Sequence, residues 1–144
     1  MPSTSFAHVA LNCKDMAVTE RFYVKHFGFR RVRVIPLGEK QIVFLRAGDV
    51  ALELFQAEGK SHEPPYDKDG PPYAGLRHIA FQVDGVDEKL REIGGEAKVT
   101  LGPMSFDDFI QGWRSAWLQD PDGRIIEISQ GYLDEENPPP LEDE

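Results

Sequence analysis

The chain of 144 residues holds one cysteine, Cys13. That excludes an internal disulfide and a thiolate metal cluster. No apolar run approaches the roughly 20 residues of a membrane span. Met1–Phe6 lacks the basic and apolar regions of a signal peptide, so a reducing cytoplasm is the expected compartment. Basic charge is also scarce: 16 Lys and Arg stand against 25 Asp and Glu, for a net charge of −9. No basic patch of the kind that nucleic acid requires can be drawn on such a chain. The acidity is concentrated, because Gly131–Glu144 carries six acids and no Lys or Arg, leaving −3 on the rest. With Pro138, Pro139 and Pro140 this tail reads as a disordered, solvated extension of a single domain spanning residues 1–130.

What the sequence does have is an internal duplication. Phe6–Asn12 alternates as a strand. Asp15 then caps a helix over Met16–Phe27, and Gly28 ends it. Phe29–Pro36, Gln41–Arg46 and Val50–Gln56 read as strands. A loop rich in Pro and Gly fills residues 57–75 as a linker or a cover over substrate. The order then returns. Leu76–Val83 alternates, and Val86, Leu90 and Ile93 recur at helical spacing before Gly94 and Gly95. Ala97–Leu101, Arg114–Gln119 and Arg124–Gln130 again read as strands. The pattern predicts an α+β fold of two tandem βαβββ modules, at about 6–56 and 76–130, forming a cupped, barrel-like mixed sheet with helices outside.

The copies align residue by residue. "HVALN" at His8 matches "HIAFQ" at His78, and "FLRAGDVALELFQ" matches "WLQDPDGRIIEISQ" with one extra residue in the turn. His8 thus answers His78, and Glu53 answers Glu127. Strand alternation sets each of the four opposite a consistently apolar face: Val9 and Leu11, Leu52 and Leu54, Ile79 and Phe81, Ile126 and Ile128. If the strands curve into one cup, two imidazoles and two carboxylates converge in it and make a divalent metal site. A metal ion there compensates Glu127, a carboxylate set among isoleucines, whose uncompensated burial costs several kcal/mol.

The stretches "FAHVALNCKD…FYVKHFGF", "GLRHIAFQVDGVD" and "GWRSAWLQDPDGRIIEIS" resemble the vicinal oxygen chelate superfamily, and within it the small proteins of glyoxalase I type. The resemblance spans Phe6–Gln130. It implies a metal, commonly Ni, Co, Zn, Mn or Fe(II), held by His8, Glu53, His78 and Glu127 and binding two neighbouring oxygens of a small-molecule substrate. It implies a metal-dependent lyase or isomerase with Glu127 as base and Glu53 as its partner, and a homodimer that sometimes shares its sites. Bacterial glutathione-dependent members carry an arginine four residues after the first His and an asparagine four after the first Glu. Here these are Asn12 and Ala57, which speaks against glutathione. An epimerase of methylmalonyl-CoA type, an Fe(II) dioxygenase and a metal-free drug-sequestering binder share the fold. Glu53 argues against the first two, and a full ligand set argues against the third.

Arg114 is placed to hold an anionic group of substrate, or else to pair with Asp107 or Asp108. His26 and His62 read as surface residues. Trp113, Trp117, Phe55 and Phe106 wall the cavity or fill the core, and Cys13 has no assigned role.

Overall fold

A computed structural model of the chain describes residues 3–61 and 66–142. Module one runs β1 (Val9–Cys13), α1 (Met16–Phe27), β2 (Arg30–Leu37), β3 (Lys40–Ala47) and β4 (Val50–Gln56). Module two runs β5 (Ile79–Gln82), α2 (Val86–Ile93), a short 3₁₀ turn (Gly94–Glu96), β6 (Val99–Ser105), β7 (Arg114–Gln119) and β8 (Ile125–Gln130). Each folds into its own four-stranded mixed sheet, in the orders β1-β4-β3-β2 and β5-β8-β7-β6. In both, the first strand lies parallel to the last, and the other neighbours are antiparallel.

The helix boundaries follow from local chemistry. Asp15 accepts hydrogen bonds from the backbone of Ala17 and Val18, satisfying donors that the first turn leaves free. Gly28 ends α1 with φ 70, a left-handed conformation open to glycine at little cost. Helix α2 begins without a side-chain cap of its own, and instead the backbone N–H of Val86 donates to the Gln130 side chain at 2.7 Å. Strand β6 extends to Ser105, beyond the Leu101 that the sequence marks. Register shifts between Val99 and Leu101, and between Leu101 and Met104, obscure its alternation. Among the described residues no helix is long and apolar enough to cross a membrane.

One core joins the modules. Leu11, Val43, Leu45, Leu52 and Leu54 from the first sheet cluster with Ala116, Leu118, Ile126 and Ile128 from the second, and both helices contribute to it. Phe27 of α1 stacks on Phe81 of β5, with ring centroids 4.4 Å apart. His26, expected at the surface, is instead 3% exposed and pairs with Glu96 across the module boundary. Its helical position places it on the same face as Phe22 and Tyr23, which are themselves buried. His62 lies outside the described residues.

The turn Asp120–Arg124 hooks module two onto module one. Asp122 accepts from Lys14 N–H and from the Thr19 hydroxyl, both at 2.6 Å. Tyr23 donates to Asp120 at 2.6 Å, Arg124 pairs with Asp120, and Arg124 also donates to the carbonyl of Asn12 at 2.9 Å. Tyr23 is fully buried, and burial together with the neighbouring Asp120 pushes its hydroxyl pKa well above the usual phenol range.

With the apolar sides of both sheets turned toward one core, their other sides face away from it. On those faces lie the duplicated histidines and glutamates.

Candidate metal centre

His8 and His78 each stand one residue ahead of the first strand of their module. Glu53 and Glu127 lie within β4 and β8, in register with Ala10 and Ala80 on the parallel neighbour. Period-two alternation returns each histidine to the face of its glutamate, and the small alanine between them leaves the two side chains room to meet. They do meet. His8 Nε2 lies 3.0 Å from Glu53 Oε1, and His78 Nε2 lies 2.9 Å from Glu127 Oε1.

Within one chain the four residues come together only two by two. No group of three or more His, Cys, Asp or Glu able to hold a metal forms among the described residues. The cup that alternation implies is therefore not closed around four ligands within one chain: its strands form two separate sheets, each holding its own His–Glu pair.

The second pair is the better supported. His78 Nδ1 lies 2.6 Å from the backbone carbonyl of Asp69. A carbonyl only accepts, so Nδ1 carries a proton and Nε2 is the nitrogen that faces the Glu127 carboxylate. Two such acceptor-capable atoms 2.9 Å apart meet over a shared cation, either a proton or a metal. This donor set fits a divalent ion, and a carbonyl behind the imidazole is a common support for a histidine ligand. Gly70 permits the contact: a Cβ there would lie 2.0 Å from the carbonyl oxygen of Arg77 and drive the Asp69 turn away.

Glu127 has its own support, which the sequence reading missed. Ser115 donates to its Oε2 at 2.7 Å. The Ser115 and Ser129 hydroxyl oxygens lie 2.9 Å apart, and Trp113 Nε1 donates to Ser129 at 3.1 Å. The available signal was alternation: Ser115 and Ser129 stand opposite one another on neighbouring strands, on the face that carries Glu127. Phe44 stands beside Glu53 where Trp117 stands beside Glu127, and counting two residues back from Phe44 and two on from Glu53 gives Ile42 and Phe55 as the counterparts of Ser115 and Ser129. Trp117 is 7% exposed, and its indole N–H has no partner among the described residues. Phe55 is half-buried on the Glu53 face, and Phe106 packs on Trp113 with ring centroids 4.8 Å apart.

Arg114 does not join either pair. Alternation along β7 places it opposite Ser115 and Trp117, on the helix side, where it donates to Asp87 of α2 at 3.0 Å. Its expected partners Asp107 and Asp108 are not the ones that hold it. Cys13 is fully buried, and that burial raises its thiol pKa. A cleft of about 920 Å³ reaches His78 but not Glu127. Asn12, Lys14, Phe55, Tyr66 and Arg77 are among its walls.

Comparison with known proteins agrees with this architecture. The family model described as Glyoxalase/Bleomycin resistance protein/Dioxygenase superfamily matches residues 5–128. The uncharacterized protein YwkD of Bacillus subtilis is 29% identical over 127 residues, covering 86% of this chain and 94% of YwkD. The solved glyoxalase family protein from Enterococcus faecalis is 29% identical with a TM-score of 0.64, covering 88% of this chain and 98% of that one. The fosfomycin resistance protein FosX from Listeria monocytogenes, solved with Mn(II) and sulfate, shares the fold at 19% identity. Its TM-score is 0.64, over 92% of this chain and 96% of its own.

Proposed function

Because the chain belongs to the Glyoxalase/Bleomycin resistance protein/Dioxygenase superfamily, we propose that it is a divalent-metal-dependent lyase or isomerase of glyoxalase I type. The observation that carries this is the duplicated His–Glu pair, each imidazole Nε2 within 3.0 Å of its carboxylate. Since one chain holds the two pairs apart, the reading is a homodimer. His8 and Glu53 of one copy face His78 and Glu127 of another, and together they hold Ni, Co, Zn, Mn or Fe(II). FosX with Mn(II) supports a divalent ion on this fold.

A bound cation would polarise a substrate carbonyl and make the neighbouring C–H acidic. The chain supplies the remainder. Glu127 takes the substrate proton at Oε1, the oxygen that Ser115 leaves free, and Glu53 acts as its counterpart across the centre. Ala10 and Ala80 leave space above the carboxylates, while Phe44, Phe55 and Trp117 keep water from the reacting carbon. The cleft beside His78 takes the body of the substrate, and Lys14 and Arg77 on its walls suit an anionic group there. Asn12 and Ala57 stand where glutathione-binding residues are expected, so the substrate is carried without glutathione.

Elemental analysis of reconstituted protein tests the reading directly. It should give one divalent ion per chain, and a screen of hemithioacetals, 2-oxo acids and acyl-CoA thioesters should find turnover that chelation removes. Metal near zero in the reconstituted protein would overturn it and return the chain to the metal-free binders of the fold.

A further inference from the structure

We infer that the two halves of the centre are inequivalent, and that Trp113, Ser129 and Ser115 are positioning residues. They fix Glu127 so that the module-two pair takes up the metal first. The inference rests on the metal-dependent reading above and adds to it an order of assembly and the residues responsible.

The protons of this chain have one order. Indole Nε1–H only donates, so Trp113 fixes Ser129 Oγ as an acceptor. A hydroxyl has one proton. Ser115 gives its own to the carboxylate of Glu127 at 2.7 Å, so the proton between the two serines, 2.9 Å apart, is Ser129's. The chain therefore points one way, from indole through two hydroxyls to Glu127 Oε2. It cannot reverse, because Trp113 has no lone pair in the ring plane with which to accept. Every donor ends on a partner, and the carboxylate is left with Oε1 directed at His78 Nε2.

The supporting groups are themselves constrained. Ser115 is fully buried, and β6 approaches it closely at Gly102, where an added Cβ would lie 2.9 Å from the Ser115 carbonyl oxygen. The Ser115 backbone is thus held close against β6. On the other ligand, the Asp69 carbonyl fixes His78 with Nε2 facing the same point. Both members of the module-two pair are oriented before any cation arrives.

Module one has neither device. Ile42 and Phe55 occupy the positions of Ser115 and Ser129, and among the described residues neither His8 Nδ1 nor the second oxygen of Glu53 has a hydrogen-bond partner. His8 is also the more open histidine, 37% exposed in its side chain against 20% for His78. Pre-oriented ligands bind without first surrendering rotamer freedom, so the cation should settle on His78 and Glu127 and then be capped by His8 and Glu53.

Titration of the full-length protein with Mn(II), then Zn(II), tests this, with free Mn(II) followed by its paramagnetic resonance and Zn(II) by competition with a chelating dye. Ser115→Ala should weaken affinity by about 10–100-fold, the range typical for lost supporting hydrogen bonds. Its melting temperature without metal should stay close to that of the parent protein. Trp113→Phe keeps the ring and removes the only fixed donor, and should weaken affinity in the same direction by a smaller factor. His78→Ala should lose more affinity than His8→Ala. Parent protein that binds metal beside a folded Ser115→Ala protein that binds it equally well would overturn the inference and leave the functional reading standing. If Ser115→Ala does not fold, the half-buried Trp113→Phe decides alone: unchanged affinity there also overturns it. Parent protein that takes up neither ion removes both.

Discussion

At Glu127 the two carboxylate oxygens have different neighbours, one a donor hydroxyl and the other an imidazole. That difference separates it from Glu53, although the duplication makes the two look alike. In Glu127→Gln the amide must present its oxygen to Ser115, which turns its NH₂ toward His78 and the cation. An NH₂ group only donates and cannot ligate. In Glu53→Gln nothing fixes either end, so the amide oxygen is free to turn to the metal. Glu127→Gln should therefore lose at least about tenfold more metal affinity than Glu53→Gln. At saturating metal it should turn over about 10²–10⁴-fold more slowly, the usual cost of removing a general base. Metal titration and steady-state rates on the two variants check this. The reverse order would assign the fixed ligand to module one.

Among the elements, the Asp120–Arg124 turn has a second task beyond joining β7 to β8. It locks α1 and the end of β1 to module two through Tyr23, Thr19, Lys14 and Asn12. Tyr23→Phe should cost about 1–2 kcal/mol, because Asp120 keeps Arg124 and two backbone donors. Asp120→Ala should cost about 3–5 kcal/mol, since it takes the nearest carboxylate from a largely buried guanidinium and the acceptor from Tyr23 and two backbone donors, leaving Arg124 only Asp122 and the Asn12 carbonyl. Denaturant melts of the two variants give the comparison, and equal losses would show that the ion pair contributes little. The phenol also sets an alkaline limit. Its folded pKa lies above the unfolded one of about 10, so the native state holds the proton longer. Its contribution is complete below about pH 10 and is lost as the pH rises toward the folded value. Tyr23→Phe should flatten that part of the stability curve.

For the whole molecule, the decisive question is which pairs face each other. A homodimer with sites shared between copies makes a prediction that no single-chain site can imitate. His8→Ala and His78→Ala proteins should each be inactive. In a mixed dimer, one site collects both defects and the other collects none. Equal mixing with free exchange gives half heterodimers with one intact site of two, so about a quarter of the parent activity should return. Mixing after partial unfolding and refolding, followed by a rate assay, measures it. No recovery from subunits shown to have exchanged would mean that each chain completes its own site. The tail enters at this scale too. Gly131–Glu142 forms no helix or strand, but Tyr132 packs edge-on against Trp113, with ring centroids 5.5 Å apart. It thus packs on the ring that carries the first donor of the chain supporting Glu127.

The sequence by itself determined the repeat, and with it the elements and the four ligand candidates. Period-two alternation and helix caps are local properties, and they place α1 at Met16–Phe27, β4 at Val50–Gln56 and β7 at Arg114–Gln119 as the structure has them. The same alternation assigns each His to the face of its Glu. Alternation is silent about which sheet faces which, because it specifies a side relative to the strand and not relative to another module. Only tertiary packing decided that both apolar faces share one core while the two His–Glu pairs stay separate within one chain. Packing also buried His26 against Glu96 and gave Arg114 to Asp87, since both partners lie on elements that sequence spacing does not connect. The inequivalence of the two pairs belongs to packing as well. Ser115, Ser129 and Trp113 are ordinary residues until β7 and β8 come into register and their protons have only one direction in which to run.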